Sequence, residues 1–250
     1  MEMVIPMIEK IWNKICLFVQ TFIADFADDF QRNFIQDNRW KYITDGLKTT
    51  LLVTFLALIL GVLLGFVVAI VRSTYDKTGK LKILNFFCNI YITVIRGTPV
   101  VVQLLIIYYV IFASINVDKV FVAVMAFGLN SGAYVAEIVR SGIMAVDAGQ
   151  FEAGRSLGFN YVQTMIYIIM PQAFKNILPA LGNEFIVLLK ETSVAGYVAL
   201  QDLTKGGDII RSRTYSYMPL IATAIIYLIM VIGFSKLLNL LERRLRNSER

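Results

Sequence analysis

The chain has no histidine among its 250 residues and only two cysteines, Cys16 and Cys88. Without histidine, neither a Ser-His nor a Cys-His nucleophilic pair can form, and histidine-ligated metals are excluded too. The two cysteines lie far apart in apolar surroundings and belong to no C-x-x-C pair, so no zinc or redox motif is present. We therefore predict no catalytic residue, no metal site and no bound cofactor on this chain.

Charged residues are also scarce. They make up 17% of the sequence, against 57% hydrophobic residues, whereas soluble domains hold about a quarter charged residues. This composition predicts an all-α membrane protein with several spans in one bundle. The formal net charge of +6 fits basic cytoplasmic loops that face anionic lipid. No cluster of aromatic and basic residues indicates a nucleic-acid partner.

Five apolar segments predict the helices that cross the membrane. They lie at 49–71, 97–117, 120–136, 172–189 and 214–235. Gly61 and Gly65 form a G-x-x-x-G pair in the first segment, which permits close contact with another helix. Pro99 suits the start of the helix in the second segment, and Pro171 is expected to begin the helix of the fourth.

The N-terminal segment has a different pattern, because apolar residues recur at three- and four-residue steps and charged residues fill the other face. Residues 1–44 are predicted to hold an amphipathic helix and a connection. This helix either lies on the membrane surface or packs on the bundle. Residues 45–246 are predicted to form the transmembrane domain and 247–250 a tail. The basic residues at 72–82 and near the C-terminus place that terminus in the cytoplasm, so five spans put the N-terminus outside.

Glu184 is the outstanding polar group at membrane depth. An ionised group there is costly unless it faces the bundle interior or water, so it is a candidate for a transport pathway. A carboxylate in a low-dielectric cavity favours a cationic side chain or an α-amino group. We predict that Glu184 lines a pocket for a polar or basic amino acid together with Asn130, Ser131 and Tyr134.

A purely structural role is the alternative for Glu184, with Arg140 or Lys175 as its ion-pair partner in the bundle. Glu137 and Arg140 lie three residues apart on one helix and can pair with each other. Such a pair at the end of a span usually anchors the helix. Arg96 is expected to be an anchor on the cytoplasmic side as well.

A polar stretch at 147–171 interrupts the apolar segments and begins with small residues. Asp147, followed three residues later by Gln150, predicts a helix N-cap with a capping-box partner. The spacing within this stretch resembles the EAA loop in the membrane subunits of ABC importers. The resemblance is carried by Glu152, Ala153, Gly154, Gly158, Ile168, Met170 and Pro171. Gly154 stands where that family has a second alanine, and Met170 stands where it has leucine.

The resemblance extends over about residues 45–246, since R-G-T-P at 96–99 and L-N-S-G-A-Y-V-A-E-I-V-R-S-G-I at 129–143 resemble the polar amino acid subgroup of these importers. It implies a type I importer fold with five core spans. It also implies a second permease subunit, an extracytoplasmic amino acid binding protein and a cytoplasmic ABC ATPase dimer, besides the membrane lipid.

The resemblance further implies that the loop is a coupling helix that docks on the ATPase, with Glu152, Ala153, Gly154 and Gly158 at the contact. The alternative for Glu152 is a surface residue that the dipole of a helix N-terminus stabilises. ATP and Mg would bind to the partner ATPase, and the absence of a G-x-x-x-x-G-K-[ST] motif from this chain agrees with that division.

The predicted function is the permease subunit of an ATP-driven importer, not itself an enzyme. It would move polar amino acids, and basic ones if Glu184 sets the preference, across the cell membrane by alternating access. An ion-coupled secondary transporter or channel is the alternative, but the sequence lacks the expected internal repeat. A membrane-embedded enzyme would need acid–base residues that the chain does not provide.

Overall fold

The structure, a computed structural model, describes residues 4–247, and every regular element in this range is helical. The helices are α1 (Val4–Phe30), α2 (Trp40–Thr78), α3 (Lys82–Arg96), α4 (Val100–Ile106), α5 (Lys119–Met144), α6 (Ala148–Ser156), α7 (Tyr161–Thr164), α8 (Met170–Glu191), α9 (Leu203–Thr214) and α10 (Met218–Asn247). Short π-helical turns follow α1, α4 and α7, and a 3₁₀ segment, Thr192–Val198, follows α8. The predicted tail at 247–250 lies outside the described residues except for its first.

α2 and α5 run parallel through the centre of the bundle in close contact. A Cβ atom added at Gly61 would lie 2.9 Å from the Cβ of Ser131, and one added at Gly65 would lie 2.6 Å from the Cβ of Val135. The contacts step by four residues in the same direction on both helices, so the two helices are parallel. The close contact predicted from the G-x-x-x-G pair is confirmed.

Gly65→Leu is expected to force α2 and α5 apart, because Val135 and the α5 backbone already occupy the space of a side chain. Overpacking of this kind destabilises a protein by about 1–3 kcal/mol. Thermal unfolding of the purified protein in detergent measures the loss. Gly233→Leu in α10 is the matched control, since a Cβ there meets no atom within 4 Å. Equal losses in the two variants would contradict the contact.

Three described helices are long and apolar enough to cross a membrane, namely α2, α5 and α10. α3 and α4 together would make a fourth span, although their axes bend by 107° at the break between them. α8 is not among them, since Lys175, Asn176, Asn183 and Glu184 lower its hydropathy. Pro171 lies in the first turn of α8, as predicted, and α4 begins directly after Pro99.

The boundaries of two predicted spans need correction. The uncharged run at 97–117 is helical only from Val100 to Ile111, and residues 112–118 form turns and extended chain. The third segment, predicted at 120–136, continues as helix to Met144. Hydropathy marks where a chain can enter lipid, and a helix may stop before that limit or continue beyond it.

α2 connects the two ends of the bundle. Near its start, Gly46 packs against the backbone of Asp202, just before α9. Near its end, the Nζ of Lys77 lies over the Phe151 ring of α6, 4.6 Å from the ring centroid. These two ends are called the α9 end and the α6 end below.

Burial of Asp202 at the α9 end predicts a pH-dependent stability. Asp202 caps α9, and burial raises the pKa of its carboxyl from 3.8 to about 6, although hydrogen bonds from the backbone N–H groups of Lys205 and Thr204 oppose this. Because the folded pKa exceeds the unfolded one, the protonated form favours folding. Stability is therefore expected to fall by about 3 kcal/mol as the pH rises from about 4 through 6.

Asp202→Asn should remove this pH dependence, because the amide does not ionise. The fluorescence of Trp40, close to the α9 end, can follow unfolding between pH 4 and 7. Asp208→Asn is the matched control, since hydrogen bonds from Arg211 and Lys205 lower the pKa of Asp208 and move its titration below this range. An unchanged slope in Asp202→Asn would count against the assignment.

α1 stands apart from the bundle. Every side chain that the structure describes in this helix is exposed, so packing on the bundle, one of the two alternatives, is wrong for this part of it. The π turn Gln31–Ile35 then anchors the segment, because Asn33 and Phe34 are buried. Phe34 packs with Ile43, Leu203 and Ile210 in an apolar cluster at the α9 end.

Candidate functional site

Glu184 is buried where α8 meets α5. Its Oε1 accepts a hydrogen bond from the Ser131 hydroxyl at 2.7 Å, and Ser131 in turn packs against Gly61 of α2. Three helices therefore converge on this carboxylate. The missing side chain at Gly61 lets the α5 hydroxyl sit between α2 and α8.

The ion pair offered as the structural alternative for Glu184 does not form among the described residues. Arg140 lies 3.5 Å from Glu137 and 3.6 Å from Asp76, and it is the partner of those two carboxylates instead. Lys175 lies nine residues before Glu184 on the same helix, roughly 14 Å along its axis. The described part of the chain places no cation within 4 Å of Glu184.

Glu191 is a second acid on the same face of α8, two turns beyond Glu184. It is half-buried, and it lies close enough to Glu184 for their charges to repel each other. The sequence does not mark Glu191 as a site residue, since it stands at the polar end of a span. The i, i+7 spacing of the two acids on α8 was the available signal.

Asn130 faces away from Glu184, toward the bend between α3 and α4. Its Nδ2 donates to the Oε1 of Gln103 at 3.1 Å. The Nε2 of Gln103 donates to the carbonyl oxygens of Ile95 at 2.8 Å and Thr98 at 3.0 Å. Gln103 thus braces the bend from inside. It too was overlooked, although it is the single polar side chain in the apolar run of α4.

Tyr134 also faces α3, where the Arg96 guanidinium lies over its ring, 5.3 Å from the centroid. Of the four predicted pocket residues, Ser131 and Glu184 are therefore joined directly. Asn130 and Tyr134 line the side of α5 that meets α3 and the bend. The Ser131–Glu184 pair and the residues that face α3 lie at the same level of α5, because Asn130 and Ser131 are consecutive. Their side chains leave the helix in different directions.

Glu137 contacts arginine side chains from three helices near the α6 end. Arg72 of α2 forms an ion pair with it, Arg140 of α5 lies 3.5 Å away and Arg96 of α3 lies 4.0 Å away. The predicted pair of Glu137 and Arg140 is confirmed, and Arg96 contacts the same carboxylate. This cluster ties α2, α3 and α5 together between Glu184 and the loop that carries α6.

The capping prediction for α6 is half right. Asp147 is the N-cap, and its Oδ1 accepts from the backbone N–H of Gly149 at 2.7 Å. Gln150 does not complete a capping box, because its side chain accepts a hydrogen bond from Gln172 of α8 at 3.2 Å. A capping box forms instead at the start of α7, between Asn160 and Gln163.

α6 has one face against the protein and one face exposed. Gly154 is buried, since a Cβ there would lie 2.7 Å from Thr164 and 3.0 Å from Ile168. Glu152 and Ala153 are exposed on the other face. With Gly158, which is exposed after the helix, three of the four predicted contact residues are accessible, whereas Gly154 holds α6 against the turn that leads into α8.

Gly158 terminates α6 through its backbone. It has φ +80°, its N–H donates to the Arg155 carbonyl at 2.9 Å, and the Phe159 N–H donates to the Gly154 carbonyl at 3.1 Å. This is the Schellman arrangement, which favours glycine because a side chain is strained at positive φ. The open space around Gly158 shows that conformation, rather than bulk, limits its replacement.

Apolar side chains next to α6 are uncovered. Leu157 is 71% exposed, Val162 60% and Tyr167 68%. Exposed apolar side chains are candidates for contact with a partner when they form a continuous patch. The sequence does not predict the exposure of these residues, because it depends on how α6 and α7 pack.

Comparison with known proteins agrees with this arrangement. Residues 61–247 match the family model described as "Binding-protein-dependent transport system inner membrane component". The chain is 40% identical over 207 residues to a putative glutamine transport system permease protein, GlnP, of Rickettsia prowazekii (strain Madrid E), covering 82% of this chain and 93% of that one. It is 36% identical over 211 residues to the arginine transport system permease protein ArtQ of Bacillus subtilis (strain 168), covering 83% and 94%.

A solved structure described as an amino acid ABC transporter with histidines superposes with a TM-score of 0.76 at 47% identity, covering 84% of this chain and 98% of that chain. The expected family and the all-α type I importer fold are confirmed by these matches. The chain belongs to the binding-protein-dependent transport system inner membrane components, and it is a multi-pass amino acid permease subunit of an ABC transporter.

Proposed function

We propose that this permease subunit moves basic amino acids past Glu184 by alternating access, driven by ATP that a separate ATPase dimer binds with Mg and hydrolyses. The observation that carries the substrate class is the buried Glu184 carboxylate, which has a hydroxyl partner and no cation within 4 Å in the described residues. A buried ionised group without an opposite charge is costly. A guanidinium or ammonium group of the substrate would supply that charge.

Glu191 extends this argument to the rest of the substrate. It lies roughly 10 Å along the α8 axis from Glu184, by the rise of seven residues, and long side chains on one face can converge on a ligand between them. A basic amino acid carries two cationic groups, its side chain and its α-amino group. A neutral polar amino acid carries one, so it would leave one carboxylate without a partner.

Transmission between the ATPase and this site is supported by the path from α6 to α8. Gly154 of α6 packs on Thr164 and Ile168, and the π turn Met165–Ile169 continues into α8 without a break in the helix. A displacement of α6 would therefore reach the helix that bears Glu184. This proposal includes a second permease subunit, an extracytoplasmic binding protein and an N-terminus outside the cell.

The proposal is tested in proteoliposomes that contain the permease, its ATPase and its binding protein. We expect uptake of labelled arginine or lysine that requires hydrolysable ATP, with unlabelled glutamine and cystine as weaker competitors. A nonhydrolysable ATP analogue is the matched control and should stop uptake. Uptake driven by an ion gradient without ATP would favour the secondary transporter, and equal competition by glutamine would overturn the basic preference.

A further inference from the structure

α1 carries an apolar stripe that no described residue covers. Phe18 is 72% exposed, Phe22 61% and Phe26 54%, and they recur every four residues along one face. Asp28 projects on the opposite face of the same helix, whereas Asp25 and Asp29 lie seven residues after Phe18 and Phe22 and project beside those two side chains. The stripe is distinct from the amino acid site and from the surface around α6.

Two observations separate α1 from the elements that the family shares. It is not among the described helices that are long and apolar enough to span a membrane. The GlnP relative matches over 93% of its own length but over 82% of this chain. Because the family match begins at residue 61 and runs to residue 247, the unmatched share falls at the N-terminus. α1 therefore lies outside the segment that the family match covers.

The anchor that follows α1 fixes where the helix leaves the bundle. Asn33 donates a weak hydrogen bond to the sulfur of Met218, 3.9 Å away, and Arg32 donates to the Thr214 carbonyl. Met218 is the first residue of α10, a membrane-spanning candidate. The end of α1 therefore lies at the boundary where α10 enters the bilayer.

The apolar surface of α10 begins at the same level. Ile221, Ile225 and Leu228 are 50%, 50% and 58% exposed on that helix, and lipid is the medium that covers such a face of a spanning helix. The anchor at Met218 places the C-terminal end of α1 beside the start of this surface. Lipid can cover the stripe without any additional protein.

We propose that α1 lies along the membrane surface at the α9 end, with Phe18, Phe22 and Phe26 buried at the boundary between headgroups and acyl chains. Surface helices usually carry lysine and arginine on the polar face and favour anionic lipid. The charges over the C-terminal half of α1 are acidic instead, since Asp25, Asp28 and Asp29 lie there. α1 should therefore bind zwitterionic lipid at least as well as anionic lipid.

The position of α1 is measured by electron paramagnetic resonance on the full-length permease in phosphatidylcholine nanodiscs. Cys16→Ser and Cys88→Ser remove the native thiols, and a nitroxide is attached at Phe26→Cys or, as the matched control, at Asp28→Cys. These positions lie about 200° apart around the helix, by 100° per residue. We expect the label at 26 to be several-fold more accessible to oxygen, and several-fold less accessible to a water-soluble nickel reagent, than the label at 28.

Two results would overturn the proposal. Equal nickel accessibility at both positions would place α1 in water. A label at 26 that is immobilised and lies within about 20 Å of the same label on a second copy, which is roughly the reach of two helix diameters, would show that another permease covers the stripe.

Two variations test the cause of binding. Phe18→Asp with Phe22→Asp should raise the nickel accessibility at 26 by about tenfold or more, because burial of each phenylalanine is lost, whereas Asp28→Asn on the opposite face should leave it unchanged. Replacing a third of the lipid with phosphatidylglycerol should leave protection at 26 equal or lower. Stronger protection would contradict the role of the acidic charges. None of these measurements depends on which amino acid is transported.

Discussion

Glu184→Gln is expected to weaken the binding of arginine or lysine about 100-fold or more, while the permease still assembles with its ATPase. Removing one member of a buried, hydrogen-bonded charge pair costs about 2–5 kcal/mol, and glutamine keeps an oxygen that can accept the Ser131 hydrogen bond. The loss should therefore come from the missing charge and not from a rearranged bundle.

The same substitution should leave the unfolding temperature unchanged or raise it. In the absence of substrate, the amide avoids the desolvation of a buried charge that has no cation partner. This combination of weaker binding and undiminished stability distinguishes a binding residue from a structural one, since loss of a structural ion pair would lower both.

Isothermal titration of the purified permease–ATPase complex with arginine, lysine and glutamine measures the effect. Asp45→Asn is the matched control, because it makes the same chemical change at an exposed carboxylate that pairs with Lys48 at 3.4 Å. An unchanged affinity for basic amino acids in Glu184→Gln would refute the proposed role. A marked fall in the unfolding temperature would support a structural role instead.

Glu152→Lys is expected to reduce ATP-dependent uptake at least tenfold, without loss of the folded permease. Glu152 is exposed on α6, and it forms no salt bridge among the described residues, so the substitution alters the docking surface alone. Like charges brought together at an interface cost several kcal/mol, which corresponds to at least a tenfold loss.

Uptake and ATP hydrolysis are to be measured together in the reconstituted complex. Asp45→Lys makes the same charge reversal at an exposed carboxylate near the α9 end, far from α6, and is the matched control. Normal stimulation of the ATPase with normal uptake in Glu152→Lys would contradict the docking role. Gly158→Glu should also impair coupling, but through strain at φ +80° of about 1–2 kcal/mol and not through bulk.

The class of fold and the polar loop that carries α6 could be predicted because both are visible as one-dimensional sequence patterns. Long uncharged runs indicate spans, and the spacing from Glu152 to Pro171 identifies the loop without reference to any other part of the chain. The N-cap at Asp147 is of the same kind, since the side chain and the backbone N–H of Gly149 are two residues apart.

The features that could not be predicted depend on partners far away in the sequence. Gln150 binds Gln172 and so leaves the capping box that its spacing favoured. Asn130 and Ser131 are adjacent, yet one bonds to Gln103 and the other to Glu184. Which neighbour each side chain contacts is decided by the packing of α4, α5 and α8, and that packing is not visible in a run of apolar residues.

The π turn between α7 and α8 has a mechanical consequence. A π turn contains one more residue than an α turn. The segment Met165–Ile169 therefore contains one residue more than an α-helical connection between the loop and α8 would need. If that residue passes into the α-helical register, everything beyond it rotates by about 100° and advances by about 1.5 Å. A displacement of the loop that moves this residue into the α-helical register would therefore rotate Glu184 about the axis of α8.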